Sequence, residues 1–276
     1  MNKDTTEAEL TKRLDMVEIH TYLLSIAKVF DEVCTKNHIP YYMLGGTMLG
    51  AIRHHGFIPW DDDMDFGVPI EYYRVLVECL ERDLPYPFRC CTHKTHPAVL
   101  FNYLKIEDMR TCVDDPSFDL PLKDKIGINI DVFPLVKCKE RDHRIDLLRK
   151  KEFFMGKVFM NSSTHSEEKW RKMAKSLARK LYGNSPKSLQ DSIDKHLFKI
   201  RKGEFMGNLL GRWKEKEIIP VGWYGSDVRY AFEDTSFIGL KEYDAYLSKL
   251  YGDYMLLPSL DKRRSHVDNI YLRNNM

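Results

Sequence analysis

Apolar residues recur at helical spacing from about residue 7 to residue 37, at Leu10, Leu14, Val17, Leu24, Ala27 and Val33, with charged residues between them. That period predicts one amphipathic helix ending before Pro40. Residues 39–44 read as a short buried strand, Gly45-Gly46 as a sharp turn, and Thr47 as the N-cap of a helix running through Arg53. From Asp63 to Val68 acidic and apolar positions alternate as on a strand, and Pro69 closes it ahead of a helix over about 71–82. Segments 88–92, 99–106 and 126–133 carry strand-like composition, which brings the expected sheet to about five strands. Between about 141 and 202, Lys, Leu, Met and Phe recur at helical spacing, with breaks near Asn161 and Asn184. These predict three helices, and a last helix is expected over about 240–251. The fold class is therefore α+β: a mixed sheet with helices over residues 1–139, followed by a mainly helical part over 140–276.

The chain has 276 residues and is 43% hydrophobic, enough to bury a real core. Lys and Arg number 43 against 41 Asp and Glu, a formal charge of +2, so no strong general attraction for nucleic acid is expected. The first ten residues carry no apolar run, and the nearly uncharged stretch 41–52 is glycine-broken and too short to cross a bilayer. A cytoplasmic location is expected. Six cysteines lie scattered without paired spacings, as reduced thiols would. The run Cys90-Cys91-x-His93-x-x-His96 invites a zinc reading, but adjacent cysteines on a strand face opposite ways and the spacing fits no standard zinc pattern.

The segment Ile58-Pro59-Trp60-Asp61-Asp62-Asp63-Met64-Asp65-Phe66 packs four carboxylates into five positions between large apolar residues. On an extended chain Asp63 and Asp65 point to one face and Met64 and Phe66 to the other, so two carboxylates converge on one hard cation. Without a cation they repel; Mg²⁺ or Mn²⁺ removes the conflict. Asp61 shares that face if the strand starts early, and Asp62 points away, where it is free to hold Arg53. An arbitrary Asp-x-Asp is more often a solvated turn, so the surroundings decide. Upstream, Gly45-Gly46-Thr47 lets backbone N–H groups approach a phosphate at a helix N-terminus. Downstream, Asp131 is a single acid inside the apolar run Ile128-Asn129-Ile130-Asp131-Val132-Phe133, where burial without a partner is costly.

A Gly-Gly turn, an acid-apolar-acid-apolar strand and a distant apolar-acid-apolar strand together resemble the nucleotidyltransferase superfamily. The wider block Tyr42-Met43-Leu44-Gly45-Gly46-Thr47-Met48-Leu49-Gly50, Arg53-His54-His55-Gly56-Phe57-Ile58-Pro59-Trp60-Asp61-Asp62-Asp63 and Asp65 resembles the LicD family in particular. The likeness continues through Ile130-Asp131-Val132-Phe133-Pro134-Leu135, Tyr251-Gly252-Asp253-Tyr254-Met255, Pro258, Arg264 and His266, while about 140–210 match only in helical, basic character.

The resemblance implies a phosphotransferase that moves phosphocholine, or a related alcohol phosphate, from CDP-choline or another CDP-alcohol to a hydroxyl of a glycan or lipid-linked glycan, releasing CMP. It implies Asp63 and Asp65 as holders of Mg²⁺ or Mn²⁺ and Asp131 as a further metal ligand or as acceptor of the incoming hydroxyl's proton. Gly45, Gly46 and Thr47 would seat phosphate oxygens, with Arg53 adding charge-assisted bonds. Trp60, Trp223, Tyr224, Tyr251 and Tyr254 could supply ring faces for a quaternary ammonium, although most such rings serve packing. His54 and His55 are neighbours on a helix and cannot both join one site. The expected helix over 170–181 has a basic outer face (Arg171, Lys172, Lys175, Arg179) suited to solvent or to an anionic membrane surface at the inner leaflet. Two alternatives stand beside this reading: a sugar-nucleotide glycosyltransferase with an Asp-x-Asp metal site, and a non-catalytic binding module of the same fold.

Overall fold

The computed structural model describes residues 10–96, 99–114, 120–140, 142–159, 173, 176, 177, 180, 186–200, 202–263, 265 and 269–274. The long helix expected over 7–37 divides. Leu10–Arg13 forms a strand, β1, and the helix α1 spans Met16–Lys36. Asp15 is the reason: its side chain accepts from the Glu18 N–H while Glu18 reaches back to the Asp15 N–H, a reciprocal cap that starts the helix there. The buried face of α1 then runs through Ile19, Leu23, Ile26, Phe30 and Val33, and Val17, expected on that face, is 75% exposed.

The central sheet is built around β7 (Asn129–Cys138). β3 (Asp65–Pro69) pairs with it in parallel on one edge, and β2 (Tyr42–Met43) pairs antiparallel with β3. On the other edge, β5 (Leu104–Asp108) pairs with the first half of β7 and β8 (Phe205–Asn208) with the second, both antiparallel. β4 (Phe88–Cys91) completes the β5 side and β9 (Ile219–Pro220) the β8 side, so the sheet has seven strands. β6 (Thr111–Val113) pairs with β12 (Ile270–Arg273), which pairs with β1 and ties the two ends of the chain together. β10 (Arg229–Phe232) and β11 (Thr235–Ile238) form a hairpin.

Helix α2 spans Gly45–His54, so its cap falls three residues before the expected one: Leu44 is the N-cap and Thr47 lies inside the first turn. Helix α3 spans Ile70–Asp83 directly after β3. In the second part of the chain α4 (His143–Phe159) and α5 (Lys187–Leu197) pack their apolar stripes against Val136 and Cys138 of β7, and α6 (Tyr243–Tyr251) packs beside α2. Because β8 and β9 join the sheet of the first part, residues on both sides of 139 share one layer. Of the basic helix expected over 170–181, only residues 173, 176, 177 and 180 are described; Met173 and Leu177, expected on its packed side, are 72% and 60% exposed. Arg264 and His266 lie outside the described residues. Among the described residues no helix is long and apolar enough to cross a membrane.

Candidate active site

Register brings the distant acids together. Asp65, the first residue of β3, stands opposite Asp131 in the parallel ladder, and Asp131 stands opposite Lys105 in the antiparallel one. Residues directly opposite share a sheet face, so Asp65, Asp131 and Lys105 form one row across three strands. Asp131 N–H donates to the Met64 carbonyl at 2.9 Å, which extends the pairing back toward Asp63. Asp61, Asp63 and Asp65 line a cleft of about 700 Å³ together with Gly45, Gly46, Arg53 and Trp60. Asp131, on the next strand, is not among the lining residues, although Phe133 of the same strand is.

At Gly46, though not at Gly45, a side chain would collide with the acids. Gly45 adopts φ +49°, and a Cβ on it would lie 3.4 Å from Asp65 Oδ2. A Cβ on Gly46 would come within 2.7 Å of Asp61 Oδ2, closer than real side chains approach. The acids thus crowd the positive end of α2. Gly45 N–H donates to the Tyr246 hydroxyl at 2.9 Å. Thr47 is buried and its Oγ accepts the Asp65 N–H at 2.7 Å. Its hydroxyl pins β3 to α2 instead of lining the cleft.

The charge state follows from this crowding. Burial, then Asp63, Asp131 and Asp61, push the Asp65 carboxyl well above the usual carboxylate range. Asp131 is relieved by Lys105, whose ammonium bonds its carboxylate, donates to Asn129 Oδ1 at 2.9 Å and lies 5.3 Å from the Tyr103 ring centre. The donor set fits a hard divalent cation: carboxylate oxygens with surplus negative charge, beside a helix N-terminus, and no sulfur among the lining residues.

A second cluster lies elsewhere. A Cys91 sulfur, a His96 ring nitrogen and a Glu107 oxygen lie within 4.8 Å of one another, close enough to hold a metal ion. Two residues of the run first set aside as a zinc motif therefore do converge, joined by Glu107, whereas His93 turns to Asp194 at 3.3 Å. The cluster also has an internal solution: Glu107 accepts from Arg89, from the Cys91 thiol at 3.2 Å and from Gly127 N–H at 2.6 Å.

Other expected residues scatter. Arg53 lines the cleft, donating from Nη1 to the Tyr254 carbonyl at 2.8 Å and from Nε to His54 Nε2 at 3.0 Å. Burial, then the Arg53 charge, lower the His54 pKa, while His55 closes α2 in a left-handed conformation. Trp60 lines the cleft under the Arg263 guanidinium, 5.1 Å from the ring centre. Tyr251 and Tyr254 also line it, but Tyr224 is buried with its hydroxyl on the Met206 carbonyl, and Trp223 packs against the core. Sequence reasoning missed Lys105, Phe101, Tyr103, Trp213, Glu152 and Glu217. Lys105 was detectable as a charge inside an apolar strand. Glu217 was not, because Lys214-Glu215-Lys216-Glu217 reads as a solvated run.

The family described as LicD/FKTN/FKRP, nucleotidyltransferase domain, matches residues 38–181, a span that takes in α2, the three cleft acids, Lys105 and Asp131. The lipopolysaccharide cholinephosphotransferase LicD of Haemophilus influenzae is 29% identical over 95% of this chain and 99% of its own length. An uncharacterized protein of Rickettsia prowazekii is 50% identical over 46 residues, 17% of each chain. The solution structure of the antibiotic-resistance factor ANT(2'')-Ia aligns over 67% of this chain and 96% of its own at 12% identity, with a TM-score of 0.27, below what a shared fold requires. With the family match covering more than half of its residues, the chain belongs to the LicD family.

Proposed function

We propose that this enzyme transfers phosphocholine from CDP-choline to a hydroxyl of a lipopolysaccharide-type glycan precursor, releasing CMP. The observation that carries the reading is the row Asp65, Asp131 and Lys105, which opens at Asp65 into a cleft lined also by Asp61, Asp63 and the glycine start of α2. Likeness over nearly the whole chain to a lipopolysaccharide cholinephosphotransferase supports the choice of transferred group.

In this reading Asp63, Asp65 and Asp131 would hold Mg²⁺ or Mn²⁺, which when bound would neutralise charge on the donor pyrophosphate and the CMP leaving group. Gly45 and Gly46 keep side chains out of the space the pyrophosphate needs, and Thr47 fixes the strand on which Asp65 is carried. Arg53, held by the Tyr254 carbonyl, presents positive charge to the cleft. Lys105 compensates the charge of Asp131. The acceptor oxygen forms the new P–O bond as the bond to CMP breaks, and its proton leaves to a carboxylate or to solvent. From residues 140–276, Asn208 and Asp253 line the same cleft and offer polar groups to the acceptor hydroxyl. Six free cysteines, five of them buried, agree with a reaction on the cytoplasmic side, at the inner face of the membrane where lipid-linked precursors lie.

The test is product analysis with lipopolysaccharide acceptor, CDP-choline and Mg²⁺. CMP and choline-labelled glycan are expected, lost with EDTA and restored by Mg²⁺ or Mn²⁺. Asp63→Asn and Asp65→Asn should each lower turnover by about 100-fold or more. Full activity in metal-free buffer would sink the metal assignment, and UDP release from a UDP-sugar in place of CMP would favour the glycosyltransferase alternative.

A further inference from the structure

Two carboxylates in the cleft have no part in the chemistry above. Glu152 comes from α4 and Glu217 from the short turn Lys214–Glu217, and both line the same cleft as Asp65. Glu217 accepts the Trp213 N–H at 2.7 Å, and its other oxygen lies where a Cβ on Gly211 would come within 2.0 Å. A glycine at 211 is therefore what lets the carboxylate lie there.

The rings beside them form two groups. Phe101 stacks on Tyr103 at 6.3 Å, and Trp213 meets Tyr251 edge-on at 5.4 Å; all four line the cleft. Arg149, whose charge acts on both glutamates, bonds the Leu209 carbonyl and Glu215, and Arg212 also lines the cleft. Burial still dominates, pushing each carboxyl up to about 7, and Glu217 adds to the rise at Glu152.

We infer that Glu152 and Glu217, with the rings of Phe101, Tyr103, Trp213 and Tyr251, form a subsite for the trimethylammonium head of the donor. This rests on the donor reading above and deepens it. A quaternary ammonium has no N–H and so cannot be held by hydrogen bonds. It is selected by ring faces and by negative charge in a desolvated place. A polyol head needs matched donors and acceptors, and it would add no positive charge to two half-buried carboxylates. A second hard metal ion would need more oxygen ligands than this ring-lined wall offers.

The experiment titrates the full-length protein in Mg²⁺ with CDP-choline, with its neutral carbon isostere CDP-3,3-dimethylbutanol, and with CMP. Wild type should prefer CDP-choline over the isostere by about tenfold or more. Glu217→Gln and Glu152→Gln should each remove most of that preference while binding the isostere as wild type does. Trp213→Leu, at a residue already 41% exposed, should weaken the preference without unfolding the chain, which covers the case of a glutamate variant that fails to fold. Equal wild-type affinity for both donors, or variants that keep the preference, would overturn the subsite. So would an equal loss of kcat with both donors at unchanged KM, which would assign the glutamates to proton transfer. Binding of neither donor nor CMP would instead overturn the CDP-donor reading itself.

Discussion

Asp65 carries a conflict that only a cation or a mutation removes. Its carboxyl is buried beside Asp61, Asp63 and Asp131, so ionising it costs more than usual. Asp65→Asn should therefore raise the melting temperature in EDTA at pH 8 while turnover collapses, a trade of stability for function. A melting temperature that falls or stays level would show that the cluster is not strained. Lys105 is the counterpart. Lys105→Met leaves Asp131 with the Tyr103 hydroxyl but without its cation, so the variant should melt lower than wild type in EDTA and gain more from added Mg²⁺, read as a larger shift in melting temperature. Equal Mg²⁺ shifts in the two proteins would separate Asp131 from the metal site. Thr47→Val deletes the acceptor of the Asp65 N–H and should cost about 1–3 kcal/mol in urea denaturation, the usual cost of a buried group left unpaired.

At the scale of elements, the site exists because α2 begins at Gly45 and β3 begins at Asp65, with the Thr47 hydroxyl joining them. Helix propensity and function conflict in that first turn. Alanine is the better helix former by about 1 kcal/mol, yet at position 46 its Cβ would fall 2.7 Å from Asp61 Oδ2. Gly46→Ala should fold normally by circular dichroism and lose roughly tenfold or more of its turnover, because Asp61 must move. Retained turnover would mean that the position of Asp61 is unimportant. Gly45→Ala should behave differently, since φ +49° strains any residue with a Cβ by about 1–2 kcal/mol. The expected outcome there is a lower denaturation midpoint. The same reasoning explains α1: Asp15 and Glu18 close a capping box that overrides a hydrophobic period running back to Leu10.

Across the whole molecule, Glu152 and Glu217 link stability to pH. Both are pushed from the ordinary glutamate range up to about 7 by burial. Between those limits the unfolded chain releases their protons and the folded chain retains them, so the folded state binds more protons and stability falls as pH rises. Above about 7 both states are ionised and this contribution levels off. The melting temperature of wild type should thus decline between about pH 5 and 7 more steeply than that of the Glu152→Gln, Glu217→Gln double variant. Parallel curves would show that these carboxyls titrate normally. CDP-choline with Mg²⁺ should flatten the wild-type slope, because a bound cation favours the charged forms.

The local parts of the site can be read from the chain alone: an acid-apolar-acid stretch, a Gly-Gly before a helix, a lone acid in an apolar strand, and the block shared with the LicD family. These are legible because short-range sterics and the two-residue period of an extended chain set them. Their boundaries were less so. Thr47 looked like a cap, since its residue type favours that role, but its hydroxyl found the Asp65 backbone instead. Long-range contacts alone bring Lys105 opposite Asp131, Trp213 rather than Trp223 to the cleft, and Glu217 out of a run of alternating charges into the cleft wall. Each depends on strand register or on packing between residues far apart in the chain. No local period encodes such pairings, because the free energy that selects them comes from surfaces that meet only when the sheet has closed.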